Sequence, residues 1–305
     1  MLLVLIMGAT VTNTGSAEGC GRSWPLCNGQ FVPEFTVATA IEFSHRAVTG
    51  VESVLVVALA AAMIWRWRAD RESLLLAVLM VVTLVLQAGL GAGAVLWPQS
   101  AVMLATHFGV SLIAFASTFL SAVVVWERTS ASPMGTPHLH GESIPDYRRS
   151  RAFRNLTVIS TVYVLGVVYL GAYVRHADAS LGCLDWPLCN GQVIPPLSGA
   201  PGIVFAHRVA ALGAVILLGV LAYQSRQVNI AASPATWAAV LGVLQALSGA
   251  LIVWTRLGLF STLLHAGLMG LLFATLTLVL RDALRAADPT PVRLTTGAQA
   301  GVQVA

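Results

Sequence analysis

The seven residues Trp24-Pro25-Leu26-Cys27-Asn28-Gly29-Gln30 occur twice in this chain, the second time as Trp186-Pro187-Leu188-Cys189-Asn190-Gly191-Gln192. Other matches keep the same order on either side. Gly8-Ala9-Thr10-Val11 matches Gly171-Ala172-Tyr173-Val174, and Gln87-Ala88-Gly89-Leu90-Gly91-Ala92 matches Gln245-Ala246-Leu247-Ser248-Gly249-Ala250. Ordered matches over this length do not arise by chance, so the sequence predicts an internal duplication.

The composition excludes an ordinary soluble domain. Of the 305 residues, 57% are hydrophobic and 10% are charged, against roughly 45–50% and about 25% in soluble proteins. The 17 basic residues are all arginine, and with 13 acidic residues they give a net charge of +4. In a soluble protein this charge could indicate nucleic-acid binding. Here it has a membrane explanation, so no nucleic-acid partner is expected.

Long apolar runs predict the membrane-spanning segments. Seven runs are long enough to span a membrane, and an eighth, Met1–Val11, is too short to do so. Its 11 helical residues rise only about 16 Å against a hydrocarbon core of about 30 Å. We expect the natural start to lie upstream of Met1, or the sequence to have been cut there, and we expect no cleavable signal peptide. The seven full-length runs are Val37–Trp65, Leu74–Leu96, Ala101–Trp126, Leu156–Val174, Ile203–Tyr223, Ala235–Trp254 and Leu259–Leu280.

The arginines predict the orientation. The positive-inside rule makes the arginine-rich side cytoplasmic, so both termini are expected in the cytoplasm and the two cysteine-bearing loops outside it. Five arginines fall on the opposite side: Arg22, Arg46, Arg175, Arg208 and Arg256. The other 12 fall on one side: Arg66, Arg68, Arg71, Arg128, Arg148, Arg149, Arg151, Arg154, Arg226, Arg281, Arg285 and Arg293.

The duplication sets the expected architecture. Each copy holds four segments, an even number, so both copies insert the same way up, related by an axis along the membrane normal. We expect an all-α integral membrane protein of eight transmembrane helices in two tandem four-helix bundles with pseudo-two-fold symmetry. The units are an N-terminal bundle (1–126), a mobile cytoplasmic linker (127–154), a C-terminal bundle (155–285) and a disordered cytoplasmic tail (286–305).

Four histidines are predicted to lie at one depth. His45, His107, His207 and His265 each fall about two turns inside the outer end of an even-numbered helix. Two histidines on facing helices can hold a porphyrin iron between them, which predicts one heme per half. The alternative is that each histidine forms an interhelical hydrogen bond. Zinc is a less favoured metal, because a tetrahedral zinc site needs more than the two ligands that each bundle offers. His138, His140 and His176 have no partners in the repeat and are expected at the surface.

Arginines and cysteines extend the candidate site. Arg46 and Arg208 directly follow histidines, where they could pair with heme propionates or instead reach towards lipid headgroups.

One loop holds Cys20 and Cys27, and the corresponding loop holds Cys183 and Cys189. Cysteines paired by loop on the oxidising side predict one disulfide in each loop. These disulfides could be structural or could take part in a thiol–disulfide step.

The halves differ beside the first histidine. Ile41-Glu42-Phe43-Ser44-His45-Arg46 aligns with Ile203-Val204-Phe205-Ala206-His207-Arg208, so only the first half has a carboxylate there. Glu42 and His45 share a helical face, which suggests that chemistry occurs at the first heme. Alternatively, Glu42 caps the helix or pairs with an arginine. Glu52 is left open, and Gln87 and Gln245 are expected to form interhelical hydrogen bonds.

Taken together, these features resemble the heme A synthase family in its bacterial form. The likeness rests on the duplicated eight-segment pattern, the four histidines, Gly19–Cys27, Glu42–Arg46 and Gly171–His176. It covers essentially the whole chain. Two departures stand out: the first helix begins late, and Glu52 lies where a small polar residue is expected.

The resemblance implies an enzyme of the plasma membrane that oxidises a methyl group of heme O to a formyl group, giving heme A for cytochrome oxidase. It implies heme b on His207 and His265, substrate heme O on His45 and His107, and Glu42 near the reacting methyl. Heme O synthase and cytochrome oxidase assembly proteins are the implied partners. A di-heme b electron carrier would use the same histidines but would not need Glu42 in one half only. A transporter would place polar surface near the midplane of the membrane, whereas the four histidines are predicted near its outer surface.

Overall fold

The computed structural model describes residues 1–97, 100–130 and 147–287. Within them the regular secondary structure is helical, and the only β-pairing is two isolated bridges in the loops. The eight helices are α1 (Leu2–Asn13), α2 (Val37–Trp67), α3 (Arg71–Leu96), α4 (Ala101–Ser130), α5 (Tyr147–His176), α6 (Gly199–Val228), α7 (Ala232–Trp254) and α8 (Leu259–Ala286).

Seven of these helices, α2 to α8, are long and apolar enough to cross a membrane. Each contains one of the seven predicted apolar runs and extends it at one or both ends. Capping side chains fix two of the beginnings: Thr36 Oγ1 accepts a hydrogen bond from Thr39 N–H, and Asp70 does the same for Ser73 N–H. The prediction of a helical membrane protein is therefore confirmed, with α1 as a short eighth helix of 12 residues.

The halves meet along α4, α5, α8 and α1. Helix α4 packs against α5 and α8, and α1 packs against α8 as well as α2. The largest buried cluster draws mainly on α5 to α8, with Leu5, Leu112 and Ala116 added from the first half. Arg175 of α5 donates to the Asn13 side chain at 3.2 Å and to the Thr12 carbonyl at 3.1 Å. Apolar packing and these hydrogen bonds together join the two halves.

A buried arginine links the halves at the ends of the helices that lie away from Arg175. Arg281 of α8 is only 6% exposed. Its Nε lies 2.7 Å from Glu72 of α3, and its two terminal nitrogens donate to both oxygens of Glu127 of α4 at 2.7 and 2.6 Å. Arg285 adds a contact to Glu72 at 2.5 Å. A paired arginine fork of this kind holds α3, α4 and α8 in fixed register.

The predicted linker is partly helical. Helix α4 continues to Ser130 and α5 begins at Tyr147, because the chain keeps helix-forming residues beyond the apolar runs. Residues 131–146, with His138 and His140, lie outside the described residues, as does the predicted tail from residue 288 onwards.

Candidate functional site

The four predicted ligands lie on α2, α4, α6 and α8, and each packs against a glycine of the preceding helix. A Cβ added to Gly8 would lie 3.3 Å from Cε1 of His45, and one added to Gly91 would lie 3.4 Å from that of His107. The matching pairs in the second half are Gly171 with His207 at 2.7 Å and Gly249 with His265 at 3.6 Å. Each imidazole thus lies directly on a helix backbone, and at Gly171 the ring takes space that a Cβ would need.

Several polar atoms near these rings have no partner. The Nδ1 atoms of His45, His107 and His207 are buried without a hydrogen bond, and so are the side-chain oxygens of Gln87 and Gln245. Buried polar atoms are nearly always satisfied in native proteins. Buried imidazoles that lie in a bundle interior, with polar atoms around them left without partners, are the donor set that a heme iron needs, so the residues present fit the group.

In the second half, the two histidines face the same space. His207 and His265 line one cavity of about 440 Å³, together with Arg208, Trp186 and Gln245. Its size falls within the range of about 300–1,000 Å³ that small-molecule and cofactor sites occupy.

His176 corrects an expectation. We predicted it at the surface, because it has no partner in the repeat. In the structure it lines the second-half cavity, where Asn13 and Phe108 of the first half also contribute. The reason is that α5 continues two residues past the predicted apolar run and ends at His176, over the cavity. Repeat matching could not find this residue, since it selects only what the halves share.

Arg46 and Arg208 hold the two disulfide loops. Arg46 donates to the carbonyls of Ser23 and Leu26 at 2.8 and 2.9 Å. Arg208 donates to the matching carbonyls of Asp185 and Leu188 at 2.9 and 2.6 Å. The sequence offered propionates or lipid as partners and missed these backbone acceptors. Arg208 also lines the cavity.

Both predicted disulfides are present. Cys20 pairs with Cys27 and Cys183 with Cys189. The Asn-Gly pair that follows the second cysteine of each loop has positive φ values, 51° and 76° in one loop and 53° and 76° in the other. This is the two-residue turn that Asn-Gly favours, and it explains why these two residues recur in both copies.

Asp185 marks a difference between the loops. It occupies the place of Ser23 in the first loop, and its carboxylate accepts the backbone N–H groups of Gly191 at 2.7 Å and Asn190 at 2.5 Å. The bond from Gly191, followed by that from Asn190, lowers the pKa of Asp185 below its ordinary value. The second loop therefore carries a carboxylate where the first carries a hydroxyl.

Glu42 connects the first loop to α2. The side chain is buried, at 4% exposure. One oxygen accepts Cys20 N–H at 2.8 Å, and the other lies 2.5 Å from Nη2 of Arg46. In the second half Val204 takes this place and packs with Cys183 and Cys189 instead. Only the first half therefore has a buried carboxylate at this place, and it lies one helical turn from His45 with a partner on each oxygen.

Three further polar residues have identified surroundings. Glu52 lies beside Met1, at the N-terminal end of α1. Gln87 forms the expected interhelical hydrogen bonds, to His107 at 3.0 Å and to Ser111 at 2.5 Å. Gln245 lines the cavity. In the part of the chain that the structure describes, no three or more His, Cys, Asp or Glu side chains form a cluster for a bare metal ion.

These features define a multi-pass helical membrane protein with a pair of glycine-packed histidines in each half and two disulfide-closed loops. The sequence model of the COX15-CtaA family, described as cytochrome oxidase assembly protein, matches residues 31–277. The chain belongs to this family.

Similar proteins extend over nearly the whole chain. The heme A synthase of Geobacillus kaustophilus is 41% identical over 295 residues, covering 93% of this chain and 88% of that protein. The heme A synthase of Bacillus licheniformis is 42% identical, covering 90% of each chain. That of Symbiobacterium thermophilum is 40% identical, covering 88% of this chain and 87% of its own.

Proposed function

We propose that this chain is a heme A synthase, which oxidises a methyl group of heme O to a formyl group and so supplies heme A to cytochrome oxidase. The observation that carries the proposal is the pair of histidines in each half, every ring lying on a glycine of the preceding helix. The relatives named heme A synthase, at about 40% identity over most of both chains, support the same reaction.

The two histidine pairs would serve different hemes. His207 and His265 would hold a resident heme b, which supplies one-electron transfer when it is bound. His45 and His107 would hold the substrate, heme O. The cavity that His207 and His265 share supports the assignment of the resident group to the second half. Glu42 supports the assignment of the substrate to the first half, since the equivalent residue, Val204, offers no charge.

The reaction can be written as two successive hydroxylations of the methyl group, in each of which water supplies the oxygen and two electrons and two protons are released. The gem-diol then loses water to leave the aldehyde, and the electrons pass to an acceptor outside this chain. Glu42 would accept a proton released at the methyl carbon or stabilise positive charge that develops there. Its hydrogen bond from Cys20 N–H and its contact with Arg46 fix where the carboxylate lies. The disulfide loop thereby becomes part of the site.

The duplicated contacts also support the finer architecture. The loops, the arginine clamps and the histidine–glycine pairs recur in both halves, as expected of two bundles related by a pseudo-two-fold axis along the membrane normal. We infer a plasma-membrane protein with both termini cytoplasmic and the disulfide loops outside. Heme O synthase and cytochrome oxidase assembly proteins are the expected partners. Electrons would pass to an acceptor outside this chain.

One observation favours a second function, that of a non-enzymatic di-heme b electron carrier. Both oxygens of Glu42 already have partners in the disulfide loop and on α2, so the carboxylate has structural work to do without any reaction. A carrier would keep the four histidines and would hold the same heme in both halves. The two functions therefore differ in which hemes the protein holds and in whether charge at Glu42 is needed.

Histidine substitutions test the assignment of hemes. His207→Ala or His265→Ala should remove low-spin heme b. His45→Ala or His107→Ala should stop heme A formation while most heme b stays bound. Pyridine hemochrome spectra and chromatography of extracted hemes measure both. If a single substitution emptied both sites equally in a stable protein, the assignment of one heme to each half would be wrong.

Glu42→Gln separates enzyme from carrier. Glutamine keeps an oxygen for Cys20 N–H but carries no charge and no basicity. We expect both hemes to bind and heme A formation to fall by about 10²–10⁴-fold, the usual contribution of a general base. Glu34→Gln is the matched control, because Glu34 is exposed in the same loop. Heme A production by Glu42→Gln within a few-fold of the parent would leave Glu42 a structural role only.

A further inference from the structure

His265 is the only one of the four histidines whose Nδ1 has a hydrogen-bond partner among the described residues. Its Nδ1 lies 2.7 Å from Oγ of Ser248 on α7, and the same Oγ donates to the carbonyl of Gln245 at 2.8 Å. A serine hydroxyl has one hydrogen, and the carbonyl can only accept. The hydroxyl oxygen must therefore accept from the imidazole. Nδ1 of His265 carries the proton, and Nε2 is left with a free lone pair.

In the first half, the residue that matches Ser248 has no hydroxyl, and the histidine that matches His265 has a different partner. Leu90 stands where the second half has Ser248, so no hydroxyl is available. His107 is contacted at Nε2 instead, by the side-chain nitrogen of Gln87 at 3.0 Å. That nitrogen also donates to Ser111 Oγ, whose own hydrogen goes to the carbonyl of His107 at 2.8 Å. Gln87 is thus an amide donor, and it occupies the lone pair of His107 that an iron would use.

We propose that Ser248 is a positioning residue for the resident heme, and that it fixes the tautomer and the orientation of His265 so that Nε2 always faces the iron. A hydrogen bond to the remote nitrogen of a metal-bound histidine holds the ring and raises its basicity. Heme b is then retained through turnover. The first half lacks this support and carries a competing donor, which suits a site that must take up heme O and release heme A.

This inference rests on the proposed heme ligation by His265, and a volume-matched pair of variants tests it. Ser248→Thr keeps the hydroxyl, whereas Ser248→Val has the same shape without it. Purified protein is mixed with excess apomyoglobin, and the rate of heme b transfer is followed by absorbance. The midpoint potential of the low-spin heme is measured in parallel.

We expect the Val variant to lose heme b about 10–100-fold faster than the Thr variant, the usual effect of removing a residue that supports a metal ligand. Its midpoint potential should be more positive, because the imidazole donates less to the iron. Leu90→Val is the control in the first half and should leave both readouts at the parent value. Should Ser248→Val fail to accumulate, Ser248→Ala compared with the parent gives the same test.

Equal transfer rates and equal potentials in the Val and Thr variants would overturn the role of Ser248. A parent protein that contained no heme b would instead refute the proposed function. A parent that retained heme b after His265→Ala would refute the assignment of that ligand. The three failures are therefore distinguishable.

Discussion

Gly171→Ala should disturb the heme b site through a single methyl group. The added Cβ would lie 2.7 Å from Cε1 and 3.2 Å from Nε2 of His207. Carbon atoms pack at about 3.5–4.0 Å, so the ring must retreat by about 0.8 Å or more. Overpacking of this kind costs about 1–3 kcal/mol, which corresponds to a loss of heme affinity between about fivefold and about 150-fold.

The glycine that packs against the other histidine of the same half provides the matched control. In Gly249→Ala the new Cβ would lie 3.6 Å from Cε1 of His265, an ordinary contact, so heme content should stay at the parent level. The assay is the ratio of heme b to protein after purification, followed by titration of the apoprotein with heme. If Gly171→Ala and Gly249→Ala bound heme b equally well, the close contact between Gly171 and His207 would not describe the loaded protein.

Three other perturbations follow from the contacts described. Arg281→Gln should lower the free energy of unfolding by about 1.5–3 kcal/mol, because it removes the charge-assisted hydrogen bonds that a buried guanidinium makes to Glu72 and Glu127. Arg285→Gln, at a side chain 44% exposed, should cost less than about 1 kcal/mol. Thermal unfolding in detergent measures both, and equal shifts would contradict the burial argument. Gln87→Leu should strengthen heme binding in the first half by about 2- to 10-fold, since one competing hydrogen bond is worth about 0.5–1.5 kcal/mol; unchanged or weaker binding in a heme titration would remove the competition argument. Replacing both Cys20 and Cys27 by serine should release the loop that holds Glu42 and reduce heme A formation while heme b stays bound, and full activity without the disulfide would show that the loop does not position the carboxylate.

The helices could be read from the sequence because their signal is local. The apolar run at Leu259–Leu280 lies inside α8, and α8 begins at the same residue. Its end was placed six residues early, because Arg281 and Arg285 look like loop residues until their partners are known. Those partners, Glu72 and Glu127, lie in other helices. Long-range ion pairs of this kind leave no periodic signal in the sequence.

The candidate site was found in part, for a related reason. Duplication picked out His45 and His207, because both copies keep them. It could not show that Arg46 and Arg208 would reach loop carbonyls, since backbone acceptors have no residue type. His176 was missed because it belongs to one half alone. Glu42 was noticed through the same kind of difference, but only the structure gave its partners.

The identity of the hemes in purified parent protein tests the central claim most directly. The protein is produced together with a source of heme O, purified without added heme, and its porphyrins are extracted and identified by chromatography and mass. The account predicts heme b together with heme O or heme A, close to one heme for each half. Heme b as the sole porphyrin in both halves, with no heme A formed from added heme O, would contradict it.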